Sequence, residues 1–159
     1  MNIVYLSLGS NIGERARNIA RAMEALPSYG ARVVKQSSLY ETEPVELRAQ
    51  DWFLNCVVEV ETNLQPRELM QALLKIERSM GRERLVPKGP RVIDMDILLF
   101  GSATVDESNL EIPHPRMVRR RFVLVPFAEI APDAVHPALK KTIRQLLKET
   151  SDRSEVRRV

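Results

Sequence analysis

A single cysteine, Cys56, is all the thiol chemistry this 159-residue chain can offer. An intrachain disulfide is therefore excluded, and a reducing, cytoplasmic setting is expected. Long apolar runs are missing too: nothing approaches the roughly 18 uninterrupted residues of a membrane span, so no membrane partner is expected. The opening MNIVYLSLGS lacks a basic segment and a small-residue cleavage site, which argues against a signal peptide. Neither charge sign dominates. The 24 basic and 21 acidic residues leave a net +3, too mild to announce nucleic acid. No internal repeat, low-complexity tract or linker divides the chain, so one domain over 1–159 with a sizeable core is expected.

What is present is strong periodicity. NIVYLSLGS predicts an opening strand that breaks at Gly9, and ERARNIARAMEALPSYG a helix with Ala16, Ile19, Ala20, Met23 and Leu26 at helical spacing and a stop at Pro27. ARVVKQSSLYE predicts a second strand, and TEPVELRAQD a loop of functional length. WFLNCVVEVE alternates, with Trp52, Leu54, Cys56, Val58 and Val60 on one face and Phe53, Asn55, Val57, Glu59 and Glu61 on the other. Cys56 thus belongs with the buried filler residues. PRELMQALLKIERSMG predicts a second helix, with Pro66 in its first turn, a Leu69, Leu73, Ile76, Met80 stripe and Gly81 as cap. The basic loop RERLVPKGPR leads into another strand. After Gly101 come short apolar runs and prolines, a last helix around KKTIRQLLKE, and a charged segment, 150–159, expected to fray. The order strand, helix, strand, strand, helix, strand plus appendix is an α+β, ferredoxin-like βαββαβ pattern. Its helices should cover one sheet face and leave the other free, with a helical and irregular C-terminal extension.

The chemistry concentrates in GPRVIDMDILLF, residues 89–100, a strand apolar enough to be buried that nevertheless carries Asp94 and Asp96. Alternation places Ile93, Met95, Ile97 and Leu99 on one face, and Asp94, Asp96 and Leu98 on the other. Carboxylates two residues apart are roughly 6–7 Å apart at Cα. They can reach a common metal, or two metals about 4 Å apart as in phosphoryl-transfer sites, and Mg²⁺ suits carboxylates combined with substrate phosphates. The alternative is a half-exposed strand with solvated aspartates. Against it, strands disfavour aspartate, and like charges on one face repel unless a cation compensates. Arginine forks suit phosphate oxygens, and two clusters flank the strand: Arg82, Arg84 and Arg91, then PRMVRRRF at 115–122. A solvated basic face is the plainer reading of both. LGSNIG is either a phosphate-cradling loop or a plain turn; it is neither a Walker A sequence nor G-x-G-x-x-G. His114, between two prolines, is either structural or a phosphate contact. Phe53 and Phe122 are either core or the walls of a slot for a flat heterocycle.

Six blocks in one order carry a resemblance: LGSN.G at the start, Y.T.P at 40–44, F.N at 53–55, E...GR.R at 77–84, GPR..D.D.LL.G at 89–101 and PHPRM...RFVL.P at 113–126. Together they resemble hydroxymethyl-dihydropterin pyrophosphokinase of folate biosynthesis, from residue 1 to about residue 137. The resemblance implies a ferredoxin-like core, ATP as donor, two Mg²⁺, and transfer of pyrophosphate to the hydroxymethyl group of a reduced pterin with release of AMP. It implies Asp94 and Asp96 as metal ligands, and Arg82 and Arg91 as catalytic-loop arginines with Arg84 beside them. His114 and Arg120 correspond to nucleotide-phosphate contacts, Ile97 to an apolar residue against adenine, and Glu77 to a site-lining carboxylate. Phe53 and Phe122 correspond to the pterin walls, Asn55 to its edge reader, and Thr42 to Val45, with Pro44, to backbone contacts. The chain departs from the family pattern at Lys88, where Trp often precedes GPR, and at Arg121, where a small residue is usual.

Two rival classes fit less well. A nucleotidyltransferase also pairs a Gly-Ser turn with carboxylates, but there they follow the turn closely, whereas two helices and two strands separate Gly9 from Asp94. An RNA-binding ferredoxin-like module needs exposed aromatics in an RNP pattern, which is absent. The expected partners are therefore ATP and a reduced hydroxymethylpterin, without nucleic acid, bound by a monomer.

Overall fold

The computed structural model describes residues 1–43, 52–81 and 91–159. Its first half runs β1 (Asn2–Ser10), α1 (Arg15–Ala25), a 3-10 turn at Leu26–Tyr29, β2 (Ala31–Gln36), β3 (Tyr40–Thr42), β4 (Phe53–Thr62) and α2 (Pro66–Ser79). The second half runs β5 (Asp94–Phe100), the hairpin β6 (Val105–Glu107) and β7 (Leu110–Ile112), a 3-10 turn at Met117–Arg119, and α3 (Arg121–Ile130). The hairpin β8 (Val135–His136) and β9 (Lys141–Thr142), α4 (Ile143–Glu149) and β10 (Val156–Arg158) complete it.

The main sheet is antiparallel, in the order β10-β3-β4-β1-β5, and β2 also pairs with β4. Alternation decides its two faces. Val4, Leu6 and Leu8 of β1 join Leu54, Cys56, Val58 and Val60 of β4 in a fully apolar core with Ile19 of α1 and Leu69, Leu73 and Ile76 of α2. Burial pushes the Cys56 thiol up to about 12, so it is an inert filler. α2 starts on a capping box in which Gln65 and Glu68 bond reciprocally, with Pro66 in its first turn. Gly81 follows it at φ 82°, a left-handed conformation that glycine adopts without strain.

The second face is not left free, which corrects the expectation of helices on one side only. α3 and α4 pack Val123, Leu124, Phe127, Ile143 and Leu146 against Val57, Leu98 and Leu99, with the Tyr5 and Phe127 rings 4.8 Å apart. The sequence hid α3 because RFVLVPFAEI is apolar nearly all round and has Pro126 inside it. Leu99 also changes face. A bulge at Leu98 lets Tyr5 pair with Leu99 and Leu6 with Ile97, so Leu99 joins Leu98 under α3 while Phe100 turns to the first core.

Three further expectations change. The strand read over 31–41 is two strands, because the serines between them find other partners. The Ser37 hydroxyl accepts from Val57 N, and the Ser38 amide and hydroxyl and the Tyr40 hydroxyl all donate to Glu129 of α3. The first strand continues through Gly9 to Ser10. The charged C-terminal segment does not fray: β10 pairs with β3, Val156 opposite Thr42 and Arg158 opposite Tyr40. A long-range ladder, invisible to local composition, outweighs the weak propensity of VRR.

Candidate active site

Where α3 stops covering the second face, the strands turn their polar residues into a slot. Ser7 and Gly9 of β1, Phe53 and Asn55 of β4, Thr42 of β3, and Asp94 and Asp96 of β5 line one slot of about 90 Å³ with Phe122, Val123 and Glu43. A larger cleft of about 840 Å³ lies on the other side of β5. Glu77, Met70, Leu73, Ile97, Asn109 and Arg116 are among its lining residues. Five residues border both spaces: Arg91, Asp94, Asp96, His114 and Arg120. Two carboxylates, two guanidinium groups and an imidazole therefore meet at the junction.

Each is held by its neighbours. Arg91 exchanges two bonds with Asn11, its amide donating to Asn11 Oδ1 at 2.7 Å and its carbonyl accepting from Asn11 N at 3.0 Å. Arg91 Nη1 also lies 3.3 Å from Asp94 Oδ2. Asn18 ties the same turn, donating to Ser10 Oγ and the Ile12 carbonyl. LGSN.G is therefore a turn that anchors Arg91, and Gly9 and Ser10 stay in the ladder. Gly9 has a separate reason to be glycine: a Cβ there would sit 2.5 Å from Asn55 Oδ1. Asn55, only 4 % exposed, is oriented from the other end by donating Nδ2 to Thr42 Oγ1 at 2.7 Å.

Glu77 lines the wide cleft and also braces β5. It is 3 % exposed, and its Oε2 accepts from Met95 N at 2.7 Å. It therefore fastens the backbone between the two aspartates from the α2 side. His114 Nδ1 accepts from Arg116 N at 3.1 Å, which leaves the ring proton on Nε2 as a donor. Burial, with Arg120 and Arg116 nearby, lowers His114 to about 4, so the ring is neutral at pH 7. Burial also lowers Arg120, opposed by the Asp96 carboxylate; its guanidinium remains a cation. Among the three consecutive arginines, Arg120 lines the junction and lies 5.5 Å over the Phe122 ring. Arg119 is exposed, and Arg121 reaches Ser154 O instead.

The sequence-predicted residues Thr42, Phe53, Asn55, Glu77, Arg91, Asp94, Asp96, Ile97, His114, Arg120 and Phe122 thus converge on these two spaces. Pro44, Val45, Arg82, Arg84 and Lys88 lie outside the described residues. Glu43, within the Thr42 to Val45 segment, lines the slot as well, and so does Ser7, which had not been singled out. Ser7 had a signal: a small hydroxyl in an apolar strand, in phase with Gly9. No cluster of three or more His, Cys, Asp or Glu side chains capable of holding a metal occurs among the described residues. A two-carboxylate donor set fits Mg²⁺, which keeps waters and takes phosphate oxygens instead of demanding a protein cage.

A family model described as 7,8-dihydro-6-hydroxymethylpterin-pyrophosphokinase matches residues 5–132. The 2-amino-4-hydroxy-6-hydroxymethyldihydropteridine pyrophosphokinase of Bacillus subtilis is 48% identical over 130 residues, covering 81% of this chain and 78% of that protein. The protein of the same name from Methylorubrum extorquens is 46% identical over 148 residues, 92% of each chain. The folic acid synthesis protein fol1 of Pneumocystis carinii is 41% identical over 94% of this chain, which spans only 20% of that longer protein. Among solved structures, wild-type HPPK-DHPS of Plasmodium falciparum with pteroate superposes with a TM-score of 0.76 at 19% identity, over 93% of this chain and 42% of that one. At that identity the likeness speaks to the fold.

Proposed function

The chain belongs to the 7,8-dihydro-6-hydroxymethylpterin-pyrophosphokinase family, and from that membership we infer that it is an ATP-dependent pyrophosphokinase of folate biosynthesis. It transfers pyrophosphate from ATP to the hydroxymethyl group of 6-hydroxymethyl-7,8-dihydropterin and releases AMP. The observation that carries this reading is the junction. A slot with two phenylalanines and a buried amide meets a wide cleft at two aspartates, two arginines and a neutral histidine. A flat polar heterocycle fits the first space, a nucleotide fits the second, and the reacting phosphates fall between them.

The chain's own groups divide the work. Phe53 and Phe122 stack on the pterin, and Asn55, fixed by Thr42 and given room by Gly9, reads its edge. Asp94 and Asp96 would hold two Mg²⁺ against the triphosphate, which would neutralise its charge. Arg91 and Arg120 supply fixed positive charge where the bridging oxygen between the α- and β-phosphorus becomes negative. His114 adds an Nε2–H donor to a phosphate oxygen. The pterin hydroxyl oxygen bonds to the β-phosphorus and gives its proton to solvent as the bond to the α-phosphate oxygen breaks and AMP leaves with that oxygen, so alignment is the main remaining demand. Arg82, Arg84, Pro44 and Val45 complete the phosphate and pterin contacts on this reading, and Ile97 packs against adenine. We read the order β5-β1-β4-β2 as a ferredoxin-like core. One chain lines both spaces, so a monomer suffices. A cytoplasmic setting agrees with the lone buried thiol, and no described helix is long and apolar enough to cross a membrane.

The test is incubation with ATP, Mg²⁺ and the reduced hydroxymethylpterin, followed by phosphorus NMR. AMP and a pterin diphosphate are expected in equal amounts. Release of ADP, or of free pyrophosphate without a pterin product, overturns the reading.

A further inference from the structure

The last ten residues make a set of bonds that the reaction as described does not use. Asp152 Oδ2 accepts from Arg121 N, the first amide of α3, at 2.7 Å. Its Oδ1 accepts from Ser154 N and Ser154 Oγ at 2.9 and 2.6 Å. Arg121 answers by donating Nη1 to the Ser154 carbonyl at 3.1 Å. Burial alone would raise the Asp152 carboxyl, yet these bonds and the Arg121 charge hold it below its ordinary range.

From there the chain crosses to the opposite side of the slot. Glu155 N donates to Glu43 Oε1 at 3.3 Å, β10 pairs along β3, and Val159 N donates to the Leu39 carbonyl. The Arg157 guanidinium lies 4.7 Å over the Trp52 ring and 3.9 Å from Glu41. One end of the segment therefore grips the residue before Phe122. The other grips β3, which ends at Thr42, the adjoining Glu43, and Trp52, the residue before Phe53. β3 has only three residues, and on its other side it pairs with β4 alone.

We propose that residues 152–158 form a strap that sets the spacing between the two walls of the slot, with Asp152 as the positioning residue that fixes Phe122. Asp152 acts through the α3 amide and touches no slot-lining group itself. Arg120 is held independently, by its amide bond to the Met117 carbonyl at 3.2 Å, and nothing in the strap reaches the wide cleft. The strap should therefore govern the heterocycle and spare the nucleotide. The identity of that heterocycle rests on the pyrophosphokinase reading above.

Calorimetric titration of the full chain with ATP and with the reduced hydroxymethylpterin separates the possibilities. Asp152→Ala should weaken the pterin about fivefold or more and leave ATP within about a factor of two. Asp152→Asn, which keeps an oxygen acceptor, should recover most of the loss. Asp133→Ala, which removes an exposed pair with Arg144, serves as the surface control and should change neither. Unaltered pterin affinity in Asp152→Ala overturns the strap, and so does a parallel loss for both ligands. If the wild-type chain binds no pterin, the pyrophosphokinase reading falls instead. Amide exchange then decides the strap on its own terms: Asp152→Ala must speed exchange at 121–124 and at 40–42, and unchanged protection overturns it.

Discussion

The two faces of the central sheet are built from the same strands by the same alternation, yet they do different things. The face under α1 and α2 is apolar from end to end: Val4, Leu6 and Leu8 are fully buried in β1, and Cys56, Val58 and Val60 in β4. The opposite face is apolar only as far as α3 reaches, over Tyr5, Val57, Leu98 and Leu99. Beyond that edge it turns to Ser7, Gly9, Asn55, Asp94 and Asp96. Coverage, not strand geometry, separates support from chemistry. A substitution on the first face should cost stability, and one on the second should cost function.

The sharpest way to break that contrast is Leu6→Ala on the covered face. It should lose roughly 2–5 kcal/mol of stability, read by denaturant unfolding, while chain that remains folded keeps its ligand affinities. Asp96→Ala on the open face should do the reverse. Turnover should fall about 100-fold or more, the scale of losing a preorganised charge stabiliser, with the unfolding midpoint essentially kept. Near-wild-type turnover at limiting Mg²⁺ would remove Asp96 from the metal site. Asn55→Ala should weaken the pterin about tenfold, since it leaves edge groups unpaired in a buried slot, and should leave ATP within about a factor of two. Equal losses for both ligands would make Asn55 a support for the fold, on a par with the covered face.

The smallest effect concerns pH, without nucleotide or metal. His114 has a folded value of about 4 against an ordinary 6.5, so the unfolded chain takes up the proton first. The stabilisation from the neutral ring is complete above pH 6.5 and is lost as pH falls from there towards 4. Unfolding midpoints measured across that window should drop less steeply in His114→Gln than in the wild-type chain. Parallel curves would show that His114 is solvated like an ordinary imidazole.

Strands and helices with clean periods were readable from sequence alone. Alternation in β4 predicts the face shared by Phe53, Asn55 and Val57, of which the first two line the slot and the third lies under α3, and the stripe of α2 follows Leu69, Leu73 and Ile76. What escaped depends on distant partners. α3 gives no amphipathic period because it is apolar nearly all round, and Pro126 reads locally as a breaker. β10 is three residues whose partner strand, β3, is far away in sequence, Val156 lying opposite Thr42. The break at Ser37 and Ser38 depends on Glu129, about ninety residues away. In the site, the residue types Asp94, Asp96, Asn55 and His114 announced polar chemistry. Which of Arg119, Arg120 and Arg121 faces the junction needed the α3 terminus. The position of Glu77 on the buried stripe, four residues after Leu73, was a legible sign that this carboxylate is enclosed.

The extra residue at Leu98 works as a frame shift within a single strand. Upstream of it, even-numbered residues look into the slot, so Asp94 and Asp96 stand together at the junction. Downstream the parity reverses: Phe100, also even, fills the core beneath α1 and α2, and Leu99 turns to α3. One strand thereby serves two separate interiors at its far end without parting its two acids at the near end. Deleting Leu98 would close the strand into one regular register, with Ile97, Leu99 and Phe100 still opposite Leu6, Tyr5 and Val4, so that both acids and both interiors keep their faces and only the Leu98 side chain is lost from beneath α3.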